Sequence, residues 1–236
     1  MTELTETTTY QRRKAELVDY FDGTASDTWA RLTSDAPVSG IRATVRAGRD
    51  AMRANLLDWL GDDLTGCRIL DAGCGTGALS VDAAVRGADV VAVDISESLV
   101  GVARRRAPIE VAHRIDFRAG DMLDPKLGTF DAVVAMDSLI HYQPSDMIES
   151  LARLAARTRD RILFTHAPMT PLLRTMHIVG KVFPKGNKSP AIRPVSRKEL
   201  LKRARANAHL SAWYPGRHHR VSSGFYISEA EELMGR

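Results

Sequence analysis

Four acidic residues punctuate the middle of the chain: Asp71, Asp94, Asp121 and Asp137. Each follows a short apolar run, and the first run leads into Asp71-Ala-Gly-Cys-Gly-Thr-Gly-Ala78, with glycines at 73, 75 and 77. A carboxylate at a strand tip can receive an ammonium group. One at the tip of the next strand, as in Ala88-Asp-Val-Val-Ala-Val-Asp94, can accept both hydroxyls of a ribose. Glycines between strand and helix let the backbone turn sharply and approach a ligand with no Cβ in between, and the helix N-terminus offers unpaired N–H groups. This is the chemistry of holding a nucleotide-like molecule. Gly73-x-Gly75-x-x-Ala78 also fits the loose dinucleotide fingerprint, so the glycines alone do not choose the nucleotide.

The elements that must position these residues can be traced by periodicity. Strands are expected at Arg68–Asp71, Ala88–Asp94, Ile115–Ala119, Phe130–Met136 and Arg161–Thr165, with helices at 78–85, Glu97–Arg106 and Ser145–Arg157 between them. Alternating strands and helices imply a parallel, doubly wound sheet with ligands at the carboxyl edge of its strands. Residues 1 to about 9 look disordered. Two amphipathic helices, Gln11–Phe21 and Ile41–Leu60, precede the first strand and are expected to act as a lid. Residues 1–62 therefore form a tail and lid and 63–236 the core. Within the core, 168–195 is a proline-bracketed insertion whose apolar helix, Leu172–Phe183, is a second cover. Ser196 and Glu199 mark a capping box opening a basic helix to Ala208. Ser211–Tyr214 and Ser223–Ile227 then read as closing strands, with Pro215–Arg220 as a basic hairpin tip. His218 and His219 would face opposite ways there, so no shared metal is expected.

Composition sets wider bounds. The chain has 236 residues, 44% hydrophobic and 26% charged, enough to bury a sizeable core. Lys+Arg 33 against Asp+Glu 29 gives a formal charge of +4, an excess that favours anionic partners without naming one. Cys67 and Cys74 form no CxxC pair and are expected to behave as small apolar residues. The polar, acidic N-terminus is unlike a secretory signal, and no stretch reaches the about 20 apolar residues of a membrane span, so the expected location is cytoplasmic.

The acidic series at successive strand ends resembles the class I S-adenosylmethionine-dependent methyltransferases. That resemblance implies a mostly parallel seven-stranded sheet with helices on both faces. It implies that the glycine turn (Gly73, Gly75, Gly77) and Asp71 hold the methionine part of the cofactor, Asp94 with Ile95 the ribose end, and Asp121 with Met122 the adenine. Met136 adjoins the same site. Arg46 and Gly48 lie where the lid would meet the methionine carboxylate.

The acceptor is signalled after the fourth strand, in Met136-Asp-Ser-Leu-Ile-His-Tyr142. No Asn-Pro-Pro-Tyr or Asp-Pro-Pro-Tyr element of amino-methylating nucleic-acid enzymes is present, whereas His141 suits an oxygen acceptor. Further stretches, in order along the chain, are Asp19-Tyr-Phe-Asp-Gly-Thr24 with Trp29, Val45-Arg-Ala-Gly-Arg49, Asp94-Ile-Ser96, Asp137–Tyr142, Ala167-Pro-Met-Thr170, Phe183-Pro184 and Phe225-Tyr226. Their combination resembles the magnesium-protoporphyrin IX O-methyltransferases of bacteriochlorophyll and chlorophyll synthesis. Ala25-Ser26, Thr28 and Arg49 depart from the common family pattern.

The resemblance implies methyl transfer from S-adenosylmethionine to a propionate carboxylate of magnesium protoporphyrin IX, with magnesium present only in the substrate. It also implies that Tyr20 and His141 orient the acceptor, that His141 has ligation of the central magnesium as an alternative role, and that Trp29, Tyr142 and Met176 line the porphyrin site. Contact with the porphyrin-binding subunit of magnesium chelatase and with the photosynthetic membrane surface follows from the same likeness. Another small acceptor such as a quinone, a nucleic acid facing the basic Lys198–Arg205 helix, and a cofactor-binding protein without turnover are the competing readings.

Overall fold

The computed structural model describes residues 8–24, 29, 31–33, 37, 40–169 and 190–235. The insertion helix expected at 172–183, with Met176, lies outside the described residues.

Seven strands form one sheet: β1 (Arg68–Ala72), β2 (Asp89–Asp94), β3 (Ile115–Ala119), β4 (Phe130–Ala135), β5 (Thr158–His166), β6 (Tyr214–Ser223) and β7 (Tyr226–Met234). Their order is β3-β2-β1-β4-β5-β7-β6. The first five are parallel; β7 runs antiparallel between β5 and β6. The central strands are buried on both faces, which explains why they read as continuous apolar runs rather than alternating ones. One face packs Leu70, Val133, Ile162 and Phe164 against Met147, Leu151 and Leu154; the other packs Ile69, Val134 and Leu163 against Met52 and Leu56. Each such side chain contributes about 1.5–3 kcal/mol by leaving water.

Helices α3 (Ala78–Val85), α4 (Glu97–Arg106), the short α5 (Ile109–Ala112) and α6 (Pro144–Ala155) connect the parallel strands, and α7 (Arg197–Ala206) precedes the closing hairpin. Two further helices lie before the sheet, α1 (Thr9–Val18) and α2 (Gly40–Leu60). Met52, Leu56, Leu57 and Trp59 of α2 join the sheet's core, so the second half of this helix packs as scaffold.

Three local expectations are corrected. α1 begins at Thr9, inside the stretch expected to be disordered. Thr8 Oγ1 accepts from Gln11 N at 3.2 Å while Gln11 Oε1 accepts from Thr8 N at 3.1 Å, a reciprocal cap that starts the helix despite the polar composition. α1 then continues as a π-helical turn, Asp19–Thr24. Finally, Pro215–Arg220 is part of β6, not a hairpin tip, and Ala208–Leu210 is a 3₁₀ turn in front of it. Proline is tolerated there because β6 is the sheet's edge strand, and the register shifts between Pro215 and His218. The chain reverses at Gly224, whose φ is 56°. Among the described residues no helix is long and apolar enough to cross a membrane.

Candidate active site

The strand order reverses between β1 and β4, and the side chains gathered at their carboxyl ends surround two connected cavities of about 400 and 210 Å³. At Gly73 and Gly77 of the glycine turn the backbone has no room for a Cβ. A Cβ on Gly73, whose φ is 93°, would stand 2.3 Å from Ser138 Cβ in the loop leaving β4. Asp71, at the tip of β1, is fully buried and accepts from Ser80 Oγ at 2.6 Å. Burial pushes its carboxyl up to about 7, and among the described residues it has no ion-pair partner. Asp94, at the tip of β2, accepts from Gly75 N at 2.8 Å and Ser96 N at 2.9 Å, joining the glycine turn to the start of α4. Burial raises its pKa too. A buried acid and a partly buried one beside the glycine turn, neither with an ion-pair partner among the described residues, fit the ammonium and ribose of a nucleoside-bearing amino acid.

Asp71 and Arg46 line the smaller cavity, where Arg46 donates to the carbonyls of Leu32 and Arg31. Gly73, Gly75 and Met136 border both cavities. Asp94, Ile95 and Met122 line the larger one. Gly77 stands behind the turn as the N-cap of α3, where a Cβ would meet Ala103 and Phe117. Asp121 borders neither cavity. Its carboxylate accepts from Tyr10 Oη at 2.7 Å, Lys14 Nζ at 2.9 Å and Leu123 N at 2.9 Å. Burial favours the neutral acid, but these partners outweigh it and hold Asp121 below the usual carboxylate range. The Tyr10 ring stacks on Tyr142 at 4.9 Å, so α1 seals this end of the site.

The larger cavity is also lined by His141, Tyr142, Trp29 and Phe21. His141 is 8% exposed. Burial, then Arg13, then Arg49, push its imidazole down to about 4, so the ring is neutral through the physiological range. It hydrogen-bonds the backbone of Ala191, and its Nδ1 has no hydrogen-bond partner among the described residues. Arg13 of α1 holds this loop by donating to the carbonyls of His141 at 2.9 Å and Ala191 at 2.6 Å. Tyr20 does not border the cavity; its ring sits edge-on against Phe21 at 5.1 Å, one ring back from the wall.

One constellation was not foreseen from the sequence. Arg49 donates to Asp137 Oδ2 at 2.6 Å, and Tyr226 Oη lies 3.1 Å from Asp137 Oδ1. Asp137 has φ 54°, a left-handed conformation held by the bond from its N–H to Thr165 Oγ1 at 2.8 Å. Arg49 also stacks over Trp29 at 5.1 Å. All four residues line the larger cavity. Gly48 belongs to this group indirectly: a Cβ there would stand 2.5 Å from Tyr226 Cδ1, so glycine lets the tyrosine ring reach Asp137. The available signals were Asp137 at a strand end, Arg49 where the family often has histidine, and Phe225-Tyr226, but nothing in the sequence pairs them.

Comparison with known proteins gives a consistent result. A family model described as magnesium-protoporphyrin IX methyltransferase C-terminus matches residues 135–234, and a general methyltransferase domain matches residues 69–160. The chain is 48% identical over 224 residues to a magnesium-protoporphyrin O-methyltransferase of Rhodobacter capsulatus, covering 94% of this chain and 97% of that one. It is 36% identical over 178 residues to its counterpart in Synechocystis sp. strain PCC 6803, covering 72% and 76%. The crystal structure of magnesium protoporphyrin IX methyltransferase from Synechocystis PCC 6803 with bound SAH matches with a TM-score of 0.83 at 28% identity, covering 94% of this chain and all of that one.

Proposed function

The chain belongs to the magnesium-protoporphyrin IX O-methyltransferase family, and from that premise we propose how its own residues carry the reaction. It is an S-adenosylmethionine-dependent enzyme that methylates a propionate carboxylate of magnesium protoporphyrin IX to the monomethyl ester. Likeness over 94% of the chain favours the porphyrin over a quinone acceptor.

S-adenosylmethionine, when bound, supplies a methyl group on sulfonium sulfur, which passes to the carboxylate oxygen as the S–CH₃ bond breaks and S-adenosylhomocysteine leaves. The buried, unpaired Asp71 is the observation that carries the cofactor assignment. It receives the ammonium, Arg46 the methionine carboxylate and the Gly73–Gly77 backbone the amino-acid stem. Asp94 with Ile95 takes the ribose, and Met122 with Asp121 flanks the adenine. Gly48 acts by admitting Tyr226, and Met136 closes the floor.

A propionate has an ordinary carboxylic pKa and is ionised at neutral pH, so the enzyme needs no general base. Its task is alignment and exclusion of water around the attacking oxygen. Neutral His141 orients the acceptor: donation to the propionate takes the tautomer with the proton on Nδ1. With its N–H kept on Ala191, the free Nδ1 lone pair suits ligation of the central magnesium as the alternative. Tyr20, which stands behind Phe21 and outside the cavity wall, is proposed to meet the acceptor only when the porphyrin is bound. Trp29 and Tyr142 line the porphyrin face, beneath α1. Contact with the porphyrin-binding subunit of magnesium chelatase and peripheral contact with a photosynthetic membrane complete the proposal, supported by the family resemblance.

The test is chromatographic. Protein, S-adenosylmethionine and magnesium protoporphyrin IX should give monomethyl ester in preference to metal-free protoporphyrin. Tyr20→Phe and His141→Ala should lower turnover at least about tenfold while cofactor binding stays near the wild-type value. Normal turnover in both variants would remove them from the site.

A further inference from the structure

The last three strands gather a second group of titratable side chains that methyl transfer does not use. Side chains alternate along a strand, so Glu229 and Glu231 of β7 share the sheet face opposite to Tyr226 and Ser228. The register places His166 of β5 across from Glu229 and His218 of β6 across from Glu231. His166 Nε2 lies 3.4 Å from Glu229 Oε2 and 3.6 Å from Glu231 Oε1. His218 Nε2 approaches the same two oxygens at 3.6 and 3.7 Å. His166 and Glu231 are both 0% exposed.

These separations exceed normal N–H···O hydrogen bonds. Among the described residues, neither ring nitrogen of His166 nor Oε2 of Glu231 has a hydrogen-bond partner. Fully buried polar atoms without partners are costly, and one of them, His166 Nε2, faces oxygens of both glutamates. The ligand atoms of His166, Glu229 and Glu231 all lie within 4.8 Å of one another. Four ligands at about 2.1 Å from a tetrahedral ion stand about 3.4 Å from one another, so binding would draw His218, on the exposed edge strand, inward as the fourth ligand.

We propose that His166, His218, Glu229 and Glu231 form a divalent transition-metal site, with zinc(II) the favoured ion. Two imidazoles and two carboxylates suit zinc, whereas magnesium prefers an octahedral shell of oxygens. Arg197, opening α7, donates to Glu231 Oε1 at 2.7 Å, and Arg220 Nη1 lies 3.8 Å from Glu229 Oε1. These guanidiniums hold the carboxylates from outside, as outer partners of metal ligands do. The site ties three strands together: His166 is the last residue of β5, His218 and the two glutamates lie midway along β6 and β7, and Ala167, next to His166, lines the larger cavity. Its role is structural, bracing the cavity wall, and it takes no part in the chemistry.

Chelator-treated full-length protein should retain one equivalent of zinc(II) after dialysis, by metal analysis. Cobalt(II) in its place should give the visible absorption of a four-coordinate site. Zinc, and not magnesium, should raise the thermal midpoint. His218 lies on the edge strand and is partly exposed, so His218→Ala should fold. It and Glu229→Gln should weaken zinc binding by at least about tenfold, the scale of losing even an outer partner. His219→Ala should leave binding unchanged. No zinc uptake at one equivalent overturns the proposal, and so does uptake indifferent to both ligand variants. Stabilisation of metal-free protein by acid, with no zinc uptake, would assign the cluster to shared protons instead.

Discussion

Burial moves the proton affinities of Asp71 and His141 in opposite directions, Asp71 up to about 7 and His141 down to about 4. An ammonium ligand requires Asp71 ionised. Affinity for S-adenosylhomocysteine should therefore rise about tenfold between pH 6 and pH 8 and then level off, since each pH unit below the pKa costs about 1.4 kcal/mol. Calorimetric titration across that range checks this, and Asp71→Asn should bind more weakly with the pH dependence gone. An affinity independent of pH in the wild type would contradict the assignment. For His141 the linkage has the other sign. An unfolded histidine titrates near 6.5, so between about 6.5 and 4 the unfolded chain takes up a proton that the folded chain refuses, and stability rises with pH over that window. Asp71 works against this, stabilising the fold below its unfolded value near 4 and losing that contribution as pH rises through about 7. The contrast should therefore be read between wild type and His141→Gln, whose thermal midpoint should depend less steeply on pH between 4.5 and 6.5.

At the scale of elements, α1 and α2 each hold a different part of the cavity. α1 reaches across it through Tyr10, Lys14 and Arg13, and α2 supplies Gly48 and Arg49. Gly48→Ala should push the Tyr226 ring away from Asp137, costing about 1–3 kcal/mol in urea unfolding and most of the activity. Tyr10→Phe with Lys14→Ala should release the first turns of α1, raising their amide exchange while β1, β4 and β5 exchange as before. The strand, glycine turn and helix around Asp71 were legible in the sequence because they are local, each side chain placed by its immediate neighbours. Arg49, Asp137 and Tyr226 were not, because their meeting depends on three elements packing together. The misplaced hairpin has a similar origin. Pro215-Gly216 carries the composition of a turn, and only the edge position of β6 makes it acceptable in a strand. Glu229, Glu231 and Glu232 lie beyond the strand expected to end at Ile227, yet they are buried in β7 with Arg197 and Arg217 as partners.

Across the whole molecule, the half proposed to hold the cofactor and the half proposed to hold the acceptor are built differently. Asp71, Asp94 and Met122 come from consecutive strand-and-helix units, whereas the opposing wall draws on Trp29, Arg49, His141 and Tyr226 from widely separated segments. Deleting residues 225–236 should therefore abolish more than the Tyr226 contact. Expression of that truncation should give aggregated chain, and a soluble, cooperatively melting product would contradict it. The reason lies in the sheet order: β7 is last in sequence yet lies inside the sheet, between β5 and β6. β6 precedes β7 in the chain and pairs with it at the sheet's edge, so during synthesis it must wait for β7 to emerge. Until then β5 is exposed as a temporary edge, and the hairpin that covers it also delivers Tyr226 to the larger cavity. Closing the sheet and bringing Tyr226 to Asp137 are therefore a single event, so the nascent sheet has no closed form from which that tyrosine is missing.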